Sequence, residues 1–234
     1  MFTHVKNFYK QNKILAILLS VTFVLILTTG IIFKQYWLKL LPLFISLIIM
    51  ALSAKVNRYS FLLGSFNSLL YCYYYFSEGL MSNLLYAILV SFPLQLISFF
   101  TWHRKSKGSI TELKKMTPLQ LVIGITAILA GWATLFTTVS LINGASYSLL
   151  DSITTTLGIT ITILSMLRFS EYALLQIING MITIFMHVSI FFDGKPENIT
   201  YIIFSVYSFI CVIMALVRMH KTHRHIIANR VDKQ

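Results

Sequence analysis

The strongest constraint in this sequence is a succession of eight apolar runs, each about 20 residues long and parted from the next by a short polar turn. They fall at 14–33, 37–54, 61–77, 81–102, 119–142, 149–167, 172–192 and 198–217. An α-helix rises about 1.5 Å per residue, so each run matches a hydrocarbon core about 30 Å thick. A water-soluble fold would have to bury all of them and still present a charged surface. The charge is missing: only 11% of the residues are charged, against about 25% in soluble domains. A mean hydropathy of +0.78 agrees. The spacing predicts an all-α membrane protein with eight transmembrane helices and no sizeable domain outside the lipid.

The cations fix a topology. The chain has 19 Lys and Arg against seven Asp and Glu, a formal net charge of +12. A basic excess can signal nucleic acid, but these cations lie in the turns between apolar runs rather than along one face, so no nucleic-acid partner is expected. With the amino terminus cytoplasmic, Lys34, Lys39 and Lys195 face outward and the other 16 face inward. A crossing more or fewer would invert every later loop and erase this asymmetry. The positive-inside rule therefore supports both the count and an orientation with the two termini inside. The first run follows Lys6, Lys10 and Lys13 as a secretory signal would. It leaves through Thr28, Thr29 and Gly30 to Lys34 with no small-x-small cleavage pattern, which argues for a retained helix.

Signatures of catalysis or metal binding are absent. There is no Gly-x-Ser-x-Gly, His-Glu-x-x-His or phosphate-binding loop. Cys72 and Cys211 both lie in apolar runs, as small hydrophobes do, and give neither a disulfide framework nor a thiolate site. His220, His223 and His225 sit among Lys221, Arg224 and Arg230 without carboxylate or thiolate co-ligands, and read as a solvated tail. Neither enzyme activity nor a cofactor is expected. Asn198, Ile199 and Thr200 fit a glycosylation sequon, a match short enough to arise by chance.

Residues 58–67 (Arg58, Tyr59, Ser60, Phe61, Leu62, Leu63, Gly64, Ser65, Phe66, Asn67) echo residues 170–179, and a shift of 112 aligns Asn67 with Asn179. Each Asn falls on the middle helix of a three-helix group, with Lys55 and Arg168 at the preceding turns. The run at 119–142 is then a linker. A triplet plus one linker crosses an even number of times, so both triplets share one orientation, the arithmetic of a parallel-repeat transporter with its site between the repeats. Chance similarity between apolar helices is the alternative. The division is 1–36 for the amino terminus and an extra helix, 37–102 and 149–218 for the triplets, 103–148 for loop and linker, and 219–234 for a basic tail.

Polar groups inside the spans must find partners in protein or in a wet cavity. Asn67, Gln95, Gln176 and Asn179 are the amides so placed, with Gln176 and Asn179 on one helix face. They serve either as interhelical glue or as contacts for a carboxamide or sugar hydroxyls. Tyr71, one turn beyond Asn67, offers an aromatic wall, whereas Tyr73, Tyr74 and Tyr75 approach the interface where an aromatic belt is expected. Trp102 reads as an interfacial anchor, and Asp151 as a helix N-cap or a vestibule residue. Glu171 reads as a cap or a partner of Arg168, and His187 as a structural histidine. No Asp or Glu pair lies at mid-depth, which leans toward uncoupled transport.

Three stretches resemble one family. Pro93-Leu94-Gln95, followed by aromatics and Trp102, is similar to the third-helix ending of the PnuC-type transporters of nicotinamide riboside and related vitamin precursors. Leu150-Asp151 with Thr154, Thr155 and Thr156 is similar to the opening of their second repeat, and Arg168 to Asn179 to their basic-x-x-Glu stretch leading to a buried Asn. The resemblance covers about residues 37–220 and leaves the first helix outside a seven-helix core. It implies a 3+1+3 architecture like that of the SWEET sugar carriers, in a bacterial cytoplasmic (inner) membrane. It also implies uptake of nicotinamide riboside by facilitated diffusion to feed NAD synthesis, with Asn67, Tyr71, Gln95, Gln176 and Asn179 as substrate-binding residues. Many members carry a Trp-x-x-Trp pair before the buried Asn, and Tyr172 and Leu175 stand there instead. Cargo identity therefore stays open to another vitamin, thiamine-like, or a nucleoside. A non-transport membrane protein is the further alternative. The partners expected are the small-molecule vitamin and the lipid bilayer, with self-assembly left open.

Overall fold

The computed structural model describes the backbone of residues 2–54, 57–104, 114–142, 145–167 and 169–231, and side chains within these except 2–12, 102–104 and 218–231. Lys55 and Arg168, and the side chains of Trp102, His220, His223 and His225, lie outside the described residues. The elements are α1 (Phe2–Ile32), α2 (Trp37–Ala54), α3 (Tyr59–Glu78), α4 (Met81–Tyr86), α5 (Phe92–Arg104), α6 (Pro118–Ser140), α7 (Ser148–Leu167), α8 (Tyr172–Phe192) and α9 (Ile199–Val231). A π-helical stretch, Ala87–Ser91, joins α4 and α5 into one rod. It lies just ahead of Pro93, whose missing N–H and bulky ring disfavour a regular turn there.

Local chemistry sets the helix ends. Thr117 opens α6 with a reciprocal capping box to Gln120, and Pro118 follows at the first helical position. Gly79 closes α3 in the left-handed region, at φ 73°, a conformation without penalty only for glycine. Seven rods are long and apolar enough to cross a membrane. The eighth, α3, is 20 residues long but carries five Tyr and four Ser, and falls short on hydropathy alone.

The molecule is inverted relative to a soluble protein. Leu89, Leu119 and Ile31 are each about two-thirds exposed, whereas Ser65, Ser82, Ser98, Ser152, Asp151 and Thr200 are fully buried. In lipid the exterior needs no polar cover, and helices associate through small residues and interhelical hydrogen bonds. The chain is thus a multi-pass membrane protein. Six rods close a ring in the order α2, α3, α4–α5, α7, α8, α9 and back to α2. α1 packs outside it on α9 and α2, and α6 lies mainly on α7. Both α3 and α8 are flanked by their sequence neighbours, while the ring's two remaining seams are α2 against α9 and α4–α5 against α7.

Candidate functional site

The ring encloses a cavity of about 400 Å³, within the usual size of a small-molecule pocket, about 300–1,000 Å³. α2, α3, α4–α5, α7, α8 and α9 line it, and α1 and α6 do not. On each long helix the lining residues recur at helical spacing. On α8 they are Tyr172, Gln176, Asn179, Gly180, Thr183, Met186 and His187; on α7 they include Thr154, Gly158, Ile161, Thr162 and Ser165.

Four of the five expected residues meet there: Tyr71, Gln95, Gln176 and Asn179. Gln95 donates from Nε2 to Ser91 Oγ at 2.6 Å. It can lie between α5 and α3 because Gly64 has no side chain; a Cβ at Gly64 would collide with Gln95 Oε1. The Oδ1 of Asn179 is buried without a hydrogen-bond partner, as is Ser205 Oγ on α9, and both residues line the cavity. Orphaned polar atoms are rare in a folded interior.

Asn67 differs. It is buried outside the cavity lining, and its Nδ2 donates to Ser46 Oγ at 2.7 Å and to the Pro42 carbonyl at 3.2 Å. Ser46 does line the cavity and shares a hydrogen bond of 3.1 Å with the Tyr71 hydroxyl. Asn67 therefore positions α2 and Tyr71 from behind the wall.

Other residues stand elsewhere than the sequence suggested. Tyr74 and Tyr75 are cavity walls, and only Tyr73 turns outward as a belt residue would. Tyr74 stacks on Tyr201 with centroids 3.8 Å apart, and Tyr71 on Tyr75 at 5.5 Å. His187 lines the cavity. Tyr172 contributes a ring where the family's first Trp is expected, and Leu175 is not among the lining residues. Asn198 is 2% exposed and donates to the His187 carbonyl at 2.6 Å, so the sequon is closed to modification. The signal for Tyr74 and His187 was present: each lies seven or eight residues beyond an intramembrane Asn, on the same helical stripe.

At one end of the ring, the Glu78 end, the seams are tied. Glu78 is 5% exposed and binds Lys39 at 2.8 Å and Lys195 at 2.6 Å. The Tyr201 hydroxyl donates to the Lys39 carbonyl at 2.9 Å. Partial burial, with Asp193 beside it, pushes the Tyr147 phenol up to about 12, so it remains a donor near neutral pH. On the other seam, Asp151 caps not its own helix but α4, accepting from the Ser82 N–H at 2.7 Å, the Asn83 N–H at 3.2 Å and Asn83 Nδ2 at 2.5 Å. At the opposite, Glu171 end, Glu171 accepts from the Met116 N–H at 3.0 Å and holds the lead-in to α6 against the start of α8. No group of three or more His, Cys, Asp or Glu suited to a metal ion occurs among the described residues.

No curated protein matches the sequence. The fold is similar to that of a solved structure of the vitamin B3 transporter PnuC, with a TM-score of 0.66 and 20% identity over 87% of this chain and 90% of that one. A family model described as nicotinamide mononucleotide transporter matches residues 36–221, beginning just after α1. With most of its length matched, the chain belongs to the nicotinamide mononucleotide transporter family, a family of carriers and not of enzymes.

Proposed function

We propose that this chain carries nicotinamide riboside across a bacterial inner membrane by facilitated diffusion, feeding NAD synthesis. The observation that carries this reading is the character of the cavity wall. It is built of aromatic rings and neutral amides, and among the described residues no Lys, Arg, Asp or Glu lines it. A nicotinamide ring bonded to ribose is a flat cation bearing a carboxamide and hydroxyls. Aromatic faces attract such a cation, and amides satisfy its polar edges. The mononucleotide adds an anionic phosphate, whose removal from water without a cationic partner costs several kcal/mol. The riboside is thus favoured over the phosphorylated form. Asn179, Gln176, Gln95 and Tyr71 would contact the cargo, and Asn67 would act through Ser46.

The eight-crossing, 3+1+3 reading is part of the same proposal, with triplets 37–102 and 149–218, a linker in 103–148 and an extra first helix in 1–36. Its support is the ring order and the fact that the two helices outside the triplets, α1 and α6, contribute nothing to the cavity. Cytoplasmic termini follow from the charge asymmetry. Two of its three exceptions, Lys39 and Lys195, share the single carboxylate of Glu78, which offsets one of the two charges. Uncoupled transport is supported by Asp151 and Glu78, the two buried carboxylates among the described residues, which stand outside the cavity lining on fixed partners.

Uptake of labelled nicotinamide riboside into proteoliposomes tests the reading. Saturable uptake is expected, insensitive to ionophores that collapse proton and sodium gradients. It should be competed by unlabelled riboside and little affected by the mononucleotide or thiamine. Replacing Asn179→Ala and Gln176→Ala together should lower it at least tenfold, about the loss of two hydrogen bonds. Unimpaired uptake by that double variant would sink the site assignment, and competition by thiamine alone would transfer the function to another vitamin.

A further inference from the structure

We propose that His187 is a cargo-binding residue, whose Nε2 accepts a hydrogen bond from an N–H or O–H group of the cargo. The inference rests on the reading of the cavity as the transport site and adds a residue to it.

The argument is one of hydrogen-bond direction. Asn198 Nδ2 lies 2.6 Å from the His187 carbonyl oxygen. A carbonyl only accepts, so this contact fixes which end of the amide is nitrogen. Asn198 Oδ1 is then an acceptor, and the Tyr74 hydroxyl donates to it at 3.2 Å. With its single proton committed, the Tyr74 oxygen can only accept from His187 Nδ1, 3.3 Å away. Nδ1 therefore carries the proton of the neutral imidazole. Nε2 is left as a bare lone pair, on a ring that lines the cavity, and it makes no hydrogen bond with the described residues.

A purely structural histidine would need only the Nδ1 contact. Here three buried residues on α3, on α8 and just before α9 hold one tautomer, and so fix the polarity of the atom that remains. The same stripe of α8 carries Asn179, whose Oδ1 is a second acceptor without a partner, two turns away. Two acceptors separated along one wall suit a cargo with donors at both ends, as a carboxamide joined to a pentose has.

The test separates the two ring nitrogens. Asn places an amide near the position of Nδ1 and can preserve the Tyr74 contact; Gln reaches the position of Nε2 and can preserve the acceptor. With the purified full chain in proteoliposomes, His187→Gln should keep a KM near that of the wild type, and His187→Asn should raise it about tenfold. The reverse order, or a normal KM in both, overturns the proposal. Where both variants are equally impaired or fail to fold, the wild type labelled with ¹⁵N-histidine decides. Adding cargo should move the unprotonated Nε2 resonance of a neutral, Nδ1-protonated histidine upfield, and an unmoved resonance overturns the assignment. A wild type that carries thiamine but not the riboside ends the riboside reading only, and the same spectrum with thiamine then decides His187.

Discussion

Between α3 and α5 the chain sets a glycine, Gly64, opposite the Gln95 amide, and the missing side chain is what lets the amide reach the cavity wall. Replacing Gly64→Ala should leave the helix itself intact, since alanine is the better helix former. It should displace Gln95 from Ser91 and raise the KM for cargo several-fold, with a melting temperature close to wild type; kinetics and a melt on one preparation check both. The amides at 95, 176 and 179 were legible in the sequence because a polar group inside a span has so few explanations. Asn67 was legible as important but not as hidden. Periodicity gives the face of a helix to within a residue, and Asn67 and Tyr71 share a face while one looks at α2 and the other into the cavity. Tyr74 was misjudged because it stands near a helix end, where an interfacial ring is the common outcome.

At the scale of elements, the eight apolar runs became eight rods, most at nearly the expected bounds because span length is set by the bilayer. Helix α1 starts earlier, at Phe2, and α9 runs on to Val231, because polar residues outside the hydrocarbon can extend a helix without changing the apolar span. What the pattern could not give was the interruption at Ala87–Ser91 or the partner of Asp151. An N-cap was expected at Asp151, and capping occurs, but on α4, a neighbour 68 residues away in the Asn83 contact. Helix α4 begins with Leu80 at its cap position, which offers no side-chain acceptor, so Asp151 satisfies N–H groups that would otherwise be orphaned in lipid. Asp151→Ala should therefore destabilise the fold by about 3 kcal/mol, the loss of hydrogen bonds to a buried charge. That corresponds to a melting temperature lower by on the order of 5–10 °C. Asp151→Asn, which keeps one acceptor, should lose less than half as much. Equal melting of the alanine variant and the wild type would show that water reaches and satisfies the α4 terminus.

For the whole molecule, the two seams of the ring decide which way the cavity opens. At the Glu78 end, Asp151 ties α7 to α4, Tyr201 ties α9 to α2, and Lys195, between α8 and α9, reaches Glu78. Toward the Glu171 end the lining runs out to Asn57, Ser60 and Tyr172, where Lys114 to Ser170 and Met116 to Glu171 join the lead-ins of α6 and α8. The seams on that side are bridged deeper in, by Tyr86 to Thr162 at 2.8 Å between α4 and α7 and by Ser208 to Met50 at 3.2 Å between α9 and α2. The ion pairs and the buried Asp151 cap at the Glu78 end predict a cavity closed there and reached from the Glu171 end. Of the closing contacts, Asp151 is fully buried, whereas Lys195 is 37% exposed and screened by solvent. If one contact must break for cargo to enter from outside, the exposed ion pair costs least. Cys211 borders the cavity at 1% exposure, so its labelling rate reports on opening once Cys72→Ser removes the other thiol. A membrane-impermeant thiol reagent should label Cys211 from the Glu171 side only, tested by adding it to inside-out vesicles and to intact spheroplasts in parallel. Adding Glu78→Gln should make Cys211 reactive from the opposite side as well, several-fold above background, while uptake falls because closure is lost. Labelling that stays one-sided in the Glu78→Gln protein would assign closure to the Tyr74–Tyr201 stack and the Tyr201–Lys39 tie, and leave the ion pair a role in folding alone.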